Sequence, residues 1–307
     1  MDPPSGVRAS RAMEVADEGA IRLPDRRGIL MVLWGKQAFR KIVLEPGQSI
    51  TIGRTDRADV VVDDDRMSGQ HFSIWFSGKR AVVRDLETPS GTVINGEEAS
   101  RAMIEHGGFV VAGGTTLQLF LEGFTRPVET PPTVDRLRRL EEVKEALGPV
   151  DGHLYAVMDA ARNEKIQWLL QESIDRHQNL FEGQPGRVLD DVAPYLVRFT
   201  PGSELLDRLL VGGWGDAWGI FVRSAEPLKE VRRHLRRFLM VEDESSYEKL
   251  YFRYYDPRVL ADFATVITPR QRQELLVGIE RVVYEGSNGE PLSLSSDTIR
   301  APNAETA

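Results

Sequence analysis

The segment TRPVETPPTVD, residues 125–135, splits this chain into two parts with different hydrophobic periods. Its prolines cannot continue a strand ladder or sit inside a helix beyond the first turn, so no regular element crosses it. Before it, between Gly28 and about Glu122, come short runs rich in β-branched and aromatic residues: ILMVLW, KIVL, SITIG, HFSIWF, RAVVRDL, GTVING, FVVA and TLQLFLEG. Turn segments such as EPGQ, FSGK and TPSG separate them, with no helical period in between. That pattern predicts an all-β sandwich or barrel. After the linker, Val134, Leu137, Leu140, Val143 and Leu147 form an apolar stripe that ends in a Gly-Pro stop, the mark of an amphipathic helix.

From Leu154 onward, strand-like and helix-like segments alternate. HLYAVMDA, NLF, PYLVRFT, AWGIFVRS, KLYFRYY and RVVYEG read as strands; NEKIQWLLQES, SELLDRLLVGG with Ser203 as its cap, PLKEVRRHLRRFLMV, PRVLADFATVI and the segment after Thr268-Pro269 read as helices. Asp256 and Thr268 have the residue types of N-caps, each followed by a first-turn proline. The alternation predicts an α/β domain with a largely parallel or mixed sheet. The expected organisation is a disordered N-terminus (1–26), a β-sandwich (27–124), a linker plus helix (125–150), an α/β domain (151–286) and a disordered tail (287–307).

A length of 307 residues suits two domains. The absence of cysteine excludes disulfides, thiolate metal sites and cysteine nucleophiles, and fits a cytoplasmic protein. No apolar run is long enough to span a membrane, and MDPPSGVRASRAMEVADEG lacks the apolar core of a secretory leader. A net charge of −8 argues against general nucleic-acid binding. The histidines, His71, His106, His153, His177 and His234, form no HExxH pair, and no GxSxG elbow is present. GGWGDAWG (212–219) lacks the lysine of a phosphate loop. Asp159, at the end of a strand, is the best lone carboxylate; without a partner it reads as a helix cap. The expectation is a protein without catalytic residues, metal or cofactor.

The stretch GRTDRADVVVDDDRMSGQHF (53–72) is the strongest site signal. Arg54 has a planar fork of donors suited to a phosphate dianion, and Ser68 adds a hydroxyl. The plainer alternatives are a salt bridge from Arg54 to Asp63, Asp64 or Asp65, and a turn role for Ser68. Taken with Asp85-Leu86 and GTVING (91–96), this arrangement resembles the forkhead-associated (FHA) family, β-sandwiches that read phosphothreonine peptides. The resemblance covers about residues 27–124. It implies that Arg54 and Ser68 contact phosphate, that Gly69, Thr88 and Ser90 lie at the peptide, and that Gly53, His71, Asn95 and Gly96 are structural. The family's usual Ser-Thr-Asn-Gly-Thr loop is here Thr88-Pro89-Ser90-Gly91-Thr92, so a serine replaces the amide that holds the peptide backbone. Phosphothreonine reading and a phosphate-blind docking module both stay open on these residues. The threonines Thr130, Thr133 and Thr298 are possible internal ligands.

Residues 154 to about 286 resemble bacterial type VI secretion adaptors, or effector chaperones, a domain long catalogued as of unknown function. HLYAVMDAARN (153–163), APYLVRFT (193–200), WGIFVRSAEPLKEVRRHLRRFL (218–239) and YFRYYDPRVL (251–260) carry that resemblance. It implies a non-enzymatic protein that holds a secreted effector and helps load it onto the spike protein VgrG. Along the helix over 227–239, Lys229, Arg232, Arg233, Arg236 and Arg237 crowd the face opposite its core stripe, a candidate docking surface for an acidic partner as well as an ordinary solvated face. Trp214 is a further candidate contact.

Overall fold

The computed structural model describes residues 26–149, 152–181, 192–242 and 248–295. The expected disordered N-terminus before Arg26 and Thr298 in the tail lie outside the described residues.

Eleven strands make the N-terminal part: β1 Gly28–Trp34, β2 Lys41–Leu44, β3 Ser49–Gly53, β4 Val60–Val61, β5 Phe72–Phe76, β6 Ala81–Asp85, β7 Thr92–Ile94, β8 Glu97–Glu98, β9 Arg101–Ile104, β10 Phe109–Ala112 and β11 Thr115–Leu121. They form two sheets, ordered β2-β1-β11-β10-β7-β8 and β4-β3-β5-β6-β9. Alternating inward residues of both sheets, among them Leu30, Val32, Ile52, Phe72, Ile74, Phe76, Val83, Val110 and Leu117, fill one core. This is the sandwich expected from the period-two pattern. Asn95 (φ 51°) and Gly96 (φ 90°) turn β7 into β8 through two left-handed residues, as an Asn-Gly hairpin does.

Helix α1 (Val134–Leu147) starts at Thr133, whose hydroxyl accepts from the Arg136 amide. It buries Leu140, Val143 and Leu147; Val134 and Leu137, on the expected stripe, remain exposed. The C-terminal part then contains β12 His153–Asp159, α2 Lys165–Gln171, β13 Arg176–Asn179, β14 Pro194–Arg198, α3 Leu205–Gly213, β15 Gly219–Ser224, α4 Leu228–Arg236, β16 Met240–Glu242, β17 Lys249–Tyr251, α5 Pro257–Val266, α6 Pro269–Leu275, β18 Arg281–Glu285 and β19 Pro291–Ser295.

Its main sheet runs β13-β14-β12-β15-β18-β19, and every pairing in it is antiparallel. The expected parallel or mixed sheet is therefore corrected. The units β12-α2-β13 and β14-α3-β15 each return the chain in the same direction, but β14 lies between the first two strands and β12 between the second two, so each crossover skips a strand and every hydrogen-bonded neighbour is antiparallel. One layer of core lies against α1, α2 and α3. The other is covered by α4, α5, α6 and the aromatic cluster Tyr254-Tyr255. Two local expectations also change. KLYFRYY contributes only β17, which pairs with β16 in an exposed two-stranded ribbon outside the main sheet. The tail expected to be disordered from 287 instead supplies β19, paired with β18 along five residues.

The two halves meet along a polar seam that the sequence did not announce. The Lys41 ammonium, carried by β2, donates to the carbonyls of Leu170 (2.6 Å), Ser173 (2.6 Å) and Asp175 (2.8 Å) at the end of α2. Glu172 accepts from the Thr125 amide and hydroxyl, both at 2.6 Å, and its carbonyl accepts from the Gly123 amide. Arg27 pairs with Glu122 and reaches the Gly202 carbonyl at 3.1 Å. Ile174 packs on Ile29, Met31 and Phe120, the outward-facing apolar residues of the sandwich.

Candidate functional site

The loops after β3 and before β5 are pinned to each other through their backbones. The Arg54 amide donates to the Ser68 carbonyl (3.0 Å), and the Thr55 amide and hydroxyl both donate to the Gly69 carbonyl. At Gly53 this contact is too close for a side chain: a Cβ there would lie 2.2 Å from the Gly69 oxygen. Arg54 is exposed, and among the described residues its side chain has no ion-pair partner. The three nearby aspartates are used elsewhere. Asp63 and Asp65 both pair with Lys36 at 3.0 Å, and Asp64 is buried against Thr115 and the Gly114 amide. The plainer salt-bridge reading of Arg54 is thereby removed.

His71, fully buried, braces the two loops that flank this point. Its Nδ1 accepts from the Ser68 amide at 3.0 Å, and its Nε2 lies 3.0 Å from the Gly91 carbonyl. An acceptor at Nδ1 and a carbonyl at Nε2 require the neutral tautomer with hydrogen on Nε2. Gly91 (φ 65°) turns the second loop, and Asp85 holds it from below. Asp85 accepts from the hydroxyls of Thr92 (2.5 Å) and Thr88 (2.8 Å) and from the Thr88 amide (2.9 Å). Burial works against the Asp85 carboxylate, but these donors outweigh it and hold its pKa below the usual range. Asn95 is structural in the same sense: its Oδ1 accepts from the Phe109 amide at 3.0 Å.

The expected peptide-facing group thus divides. Arg54 and Ser68 stand on adjoining loops with Gly69 beside them, and Ser90 is exposed on the loop that His71 ties to theirs. Thr88 does not fit the expectation of a donor to a ligand. Its hydroxyl hydrogen and its amide are both committed to Asp85, so it shapes the loop from within.

In the C-terminal part, three of the docking candidates, Trp214, Arg232 and Arg236, have structural roles. Trp214 is buried, and its indole nitrogen donates to the Gly289 carbonyl at 2.8 Å, which makes it a core residue. Arg232 donates to the carbonyls of Asn179 and Phe181, and Arg236 to that of Leu180. These arginines clamp the end of β13 onto α4, reaching from the helix flank to carbonyls at and just past the end of this edge strand. Arg233 pairs with Glu230 within the helix. Lys229 on α4 and Arg237 at its C-terminal cap are both exposed. Asp159 caps the short 3-10 turn at Ala160–Arg162, accepting from the Ala161 amide, and pairs with Arg253; Arg258 pairs with Asp256 at 2.6 Å. Among the described residues no group of His, Asp and Glu has the arrangement of a metal site, and no helix is long and apolar enough to cross a membrane.

The residues that sequence reasoning missed are those of the seam, Lys41 and Glu172 above all. A signal existed in GILMVLW: β1 is buried at five consecutive positions, so both of its faces are covered, which an isolated sandwich does not require.

A β-sandwich with two backbone-pinned loops and an exposed arginine at one end defines a protein-recognition module joined to an α+β domain. The family comparisons identify both. The model of the FHA domain matches residues 50–113, and that of a domain of unknown function, DUF4123, matches residues 154–274. The chain thus combines an FHA domain with a DUF4123 domain, the pair that its sequence resembles. Among solved structures, the FHA domain of CT664 from Chlamydia trachomatis is 24% identical, over 31% of this chain and 96% of that one, with a TM-score of 0.29. The FHA domain of an Arabidopsis thaliana protein is 22% identical, over 35% of this chain and 91% of that one, also at 0.29. Mycobacterium tuberculosis EmbR in complex with a low-affinity phosphopeptide is 21% identical, over 33% of this chain but 26% of that one, at 0.29. No curated protein matches.

Proposed function

We propose that this chain is a non-enzymatic, cytoplasmic adaptor of a type VI secretion apparatus. Its DUF4123 domain holds a secreted effector and helps load it onto VgrG, and its FHA domain adds a phosphothreonine-dependent contact through Arg54 and Ser68. The observation that carries the FHA half is the Arg54 side chain. It is exposed and without an ion-pair partner among the described residues, while its backbone is fixed to Ser68 by a 3.0 Å hydrogen bond. A guanidinium without an ion pair, on a loop fixed to the one that carries a hydroxyl, is suited to a phosphate dianion. The second half of the reading rests on the DUF4123 match together with the resemblance to effector adaptors. Two modest contacts on one chain gain avidity when their geometry allows both at once, and the Lys41 seam holds the two domains in one arrangement.

The test is recovery of the tagged full-length protein from its host with and without phosphatase, alongside an Arg54→Ala variant. Capture of an effector and VgrG that survives phosphatase, together with a phosphatase-sensitive third partner lost in Arg54→Ala, is the expected result. If every partner disappears with phosphatase, phosphothreonine reading becomes the main task and the chain is a regulator of the apparatus. Failure to recover any effector or spike protein refutes the adaptor reading.

A further inference from the structure

The outer face of the sheet β4-β3-β5-β6-β9 carries two features that the sandwich itself does not use. In one cross-strand row, Thr51, Ser73, Arg84 and Arg101 stand in direct register. Arg84 and Arg101 are therefore opposite one another, both exposed, and neither has an ion-pair partner among the described residues. Like charges in direct cross-strand register destabilise a sheet. In the next row away from the phosphate loops, Ser49, Trp75, Val82 and Met103 are in register, with Trp75 44% and Met103 47% exposed. An indole and a thioether half in water on either side of Val82, flanked by an unpaired positive pair, form a surface matched to an acidic residue followed by a large apolar one.

This surface is continuous with the Arg54–Ser68 loops, because β3 and β5 run directly from those loops into both rows. With strands ~4.8 Å apart and ~3.3 Å of rise per residue, Arg84 lies about two strands across and three residues along from Arg54, a path of about 14 Å or roughly four extended residues. The apolar row begins about two residues further on.

We infer that the phosphothreonine partner of this FHA domain continues as an extended segment along the outer sheet. It places an acidic residue about four positions from the phosphothreonine over Arg84 and Arg101, and a large apolar residue about two positions beyond that, against Trp75, Val82 and Met103. The inference rests on the phosphothreonine reading of Arg54 and Ser68. It also supplies contacts where Ser90 has replaced the peptide-holding amide.

Fluorescence anisotropy on the full-length protein tests it with four synthetic peptides: a phosphothreonine peptide in an alanine-glycine background, the same peptide with Glu and Leu at those spacings on one side or on the other, and the better of these without phosphate. The expected result is a gain of roughly tenfold for one extended peptide, equivalent to one or two added contacts of this kind. That gain disappears in Arg84→Gln/Arg101→Gln and in Trp75→Ser, while binding of the short peptide is kept in both. The Arg pair substitution removes a repulsion, so the variant folds. Equal affinity for short and extended peptides, lost only in Arg54→Ala, overturns the inference and leaves the phosphothreonine reading intact. No binding of any phosphopeptide overturns both. Arg84- and Arg101-dependent binding to anionic phosphatidylglycerol vesicles with no peptide gain assigns the arginine pair to a lipid surface and overturns the inference.

Discussion

Replacing Lys41 with methionine probes the seam that joins the two domains. The lysine stem is partly exposed, but its ammonium is enclosed and donates to three carbonyls between 2.6 and 2.8 Å. Hydrogen bonds to a charged group contribute about 1.5–3 kcal/mol each, roughly 4.5–9 kcal/mol for the set. Enclosing the ammonium offsets several kcal/mol of that. Methionine keeps the stem, removes both terms and leaves the carbonyls of Leu170, Ser173 and Asp175 without this donor, so a net loss of about 2–4 kcal/mol at neutral pH is expected. The loss also has a pH signature. Burial lowers the Lys41 pKa to about 7 against the attraction of Asp175 and Glu122. The unfolded chain keeps that proton up to its ordinary value of 10.5, so between the two values unfolding takes up a proton. The burial penalty is therefore fully present below about pH 7 and is relieved as pH rises toward 10.5, the reverse of a lysine that gains a partner. The neighbouring titrating groups differ in direction or range. Asp175 is raised by burial, and His177, buried behind Lys41, is held well below its usual value by burial and then by the Lys41 charge. Urea unfolding of wild type and Lys41→Met, followed by tryptophan fluorescence from about pH 6 to about pH 9, measures the difference. The stability gap between them should widen with pH above 7. A gap below about 0.5 kcal/mol at neutral pH, or one that narrows as pH rises, refutes the reasoning.

Three further outcomes follow from the geometry. Gly53→Ala places a methyl group against the Gly69 carbonyl, and because both partners are backbone the loops must part; a loss of about 1–3 kcal/mol in calorimetry and of phosphopeptide binding is expected. Asp64 is opposed by burial, but its bonds from Thr115 and the Arg66 and Gly114 amides outweigh it and hold its pKa below the usual range. Its contribution is thus complete above the ordinary carboxylate pKa and lost as pH falls through the lowered one, and Asp64→Asn should flatten that acid limb in equilibrium unfolding. Arg236→Ala frees the Leu180 carbonyl from α4, which should raise hydrogen exchange at residues 179–181 and cost about 1–2 kcal/mol while leaving exchange in β12 unchanged.

Much of this architecture was legible because it is written in local pattern. Period-two alternation specified the sandwich strands, Asn95-Gly96 specified a hairpin, and Asp256 and Thr268 capped the helices they precede, Thr268 in a full capping box with Gln271. The loop site was legible by another route: Gly53-Arg54 and Ser68 through His71 carry a family resemblance, and that resemblance implies neighbouring loops with a structural histidine. The roles of Thr88, Trp214, Arg232 and Arg236 were not. A threonine hydroxyl, an indole and a guanidinium each serve a surface or an interior equally well, and only the position of Asp85, Gly289 and the β13 edge decides which.

What the sequence determined by itself, then, is the change of hydrophobic period across residues 125–135 and the type of most strands and helices on either side of it. Tertiary structure alone decided the antiparallel order of β13-β14-β12-β15-β18-β19, the recruitment of Pro291–Ser295 into that sheet, and the burial of Lys41 between the domains. The physical reason is range. Turn chemistry and hydrophobic period act over a few residues, whereas strand direction depends on which edge is still unpaired when a segment arrives. The second buried face of β1 is set by residues well over a hundred positions away, and no local pattern can name its cover.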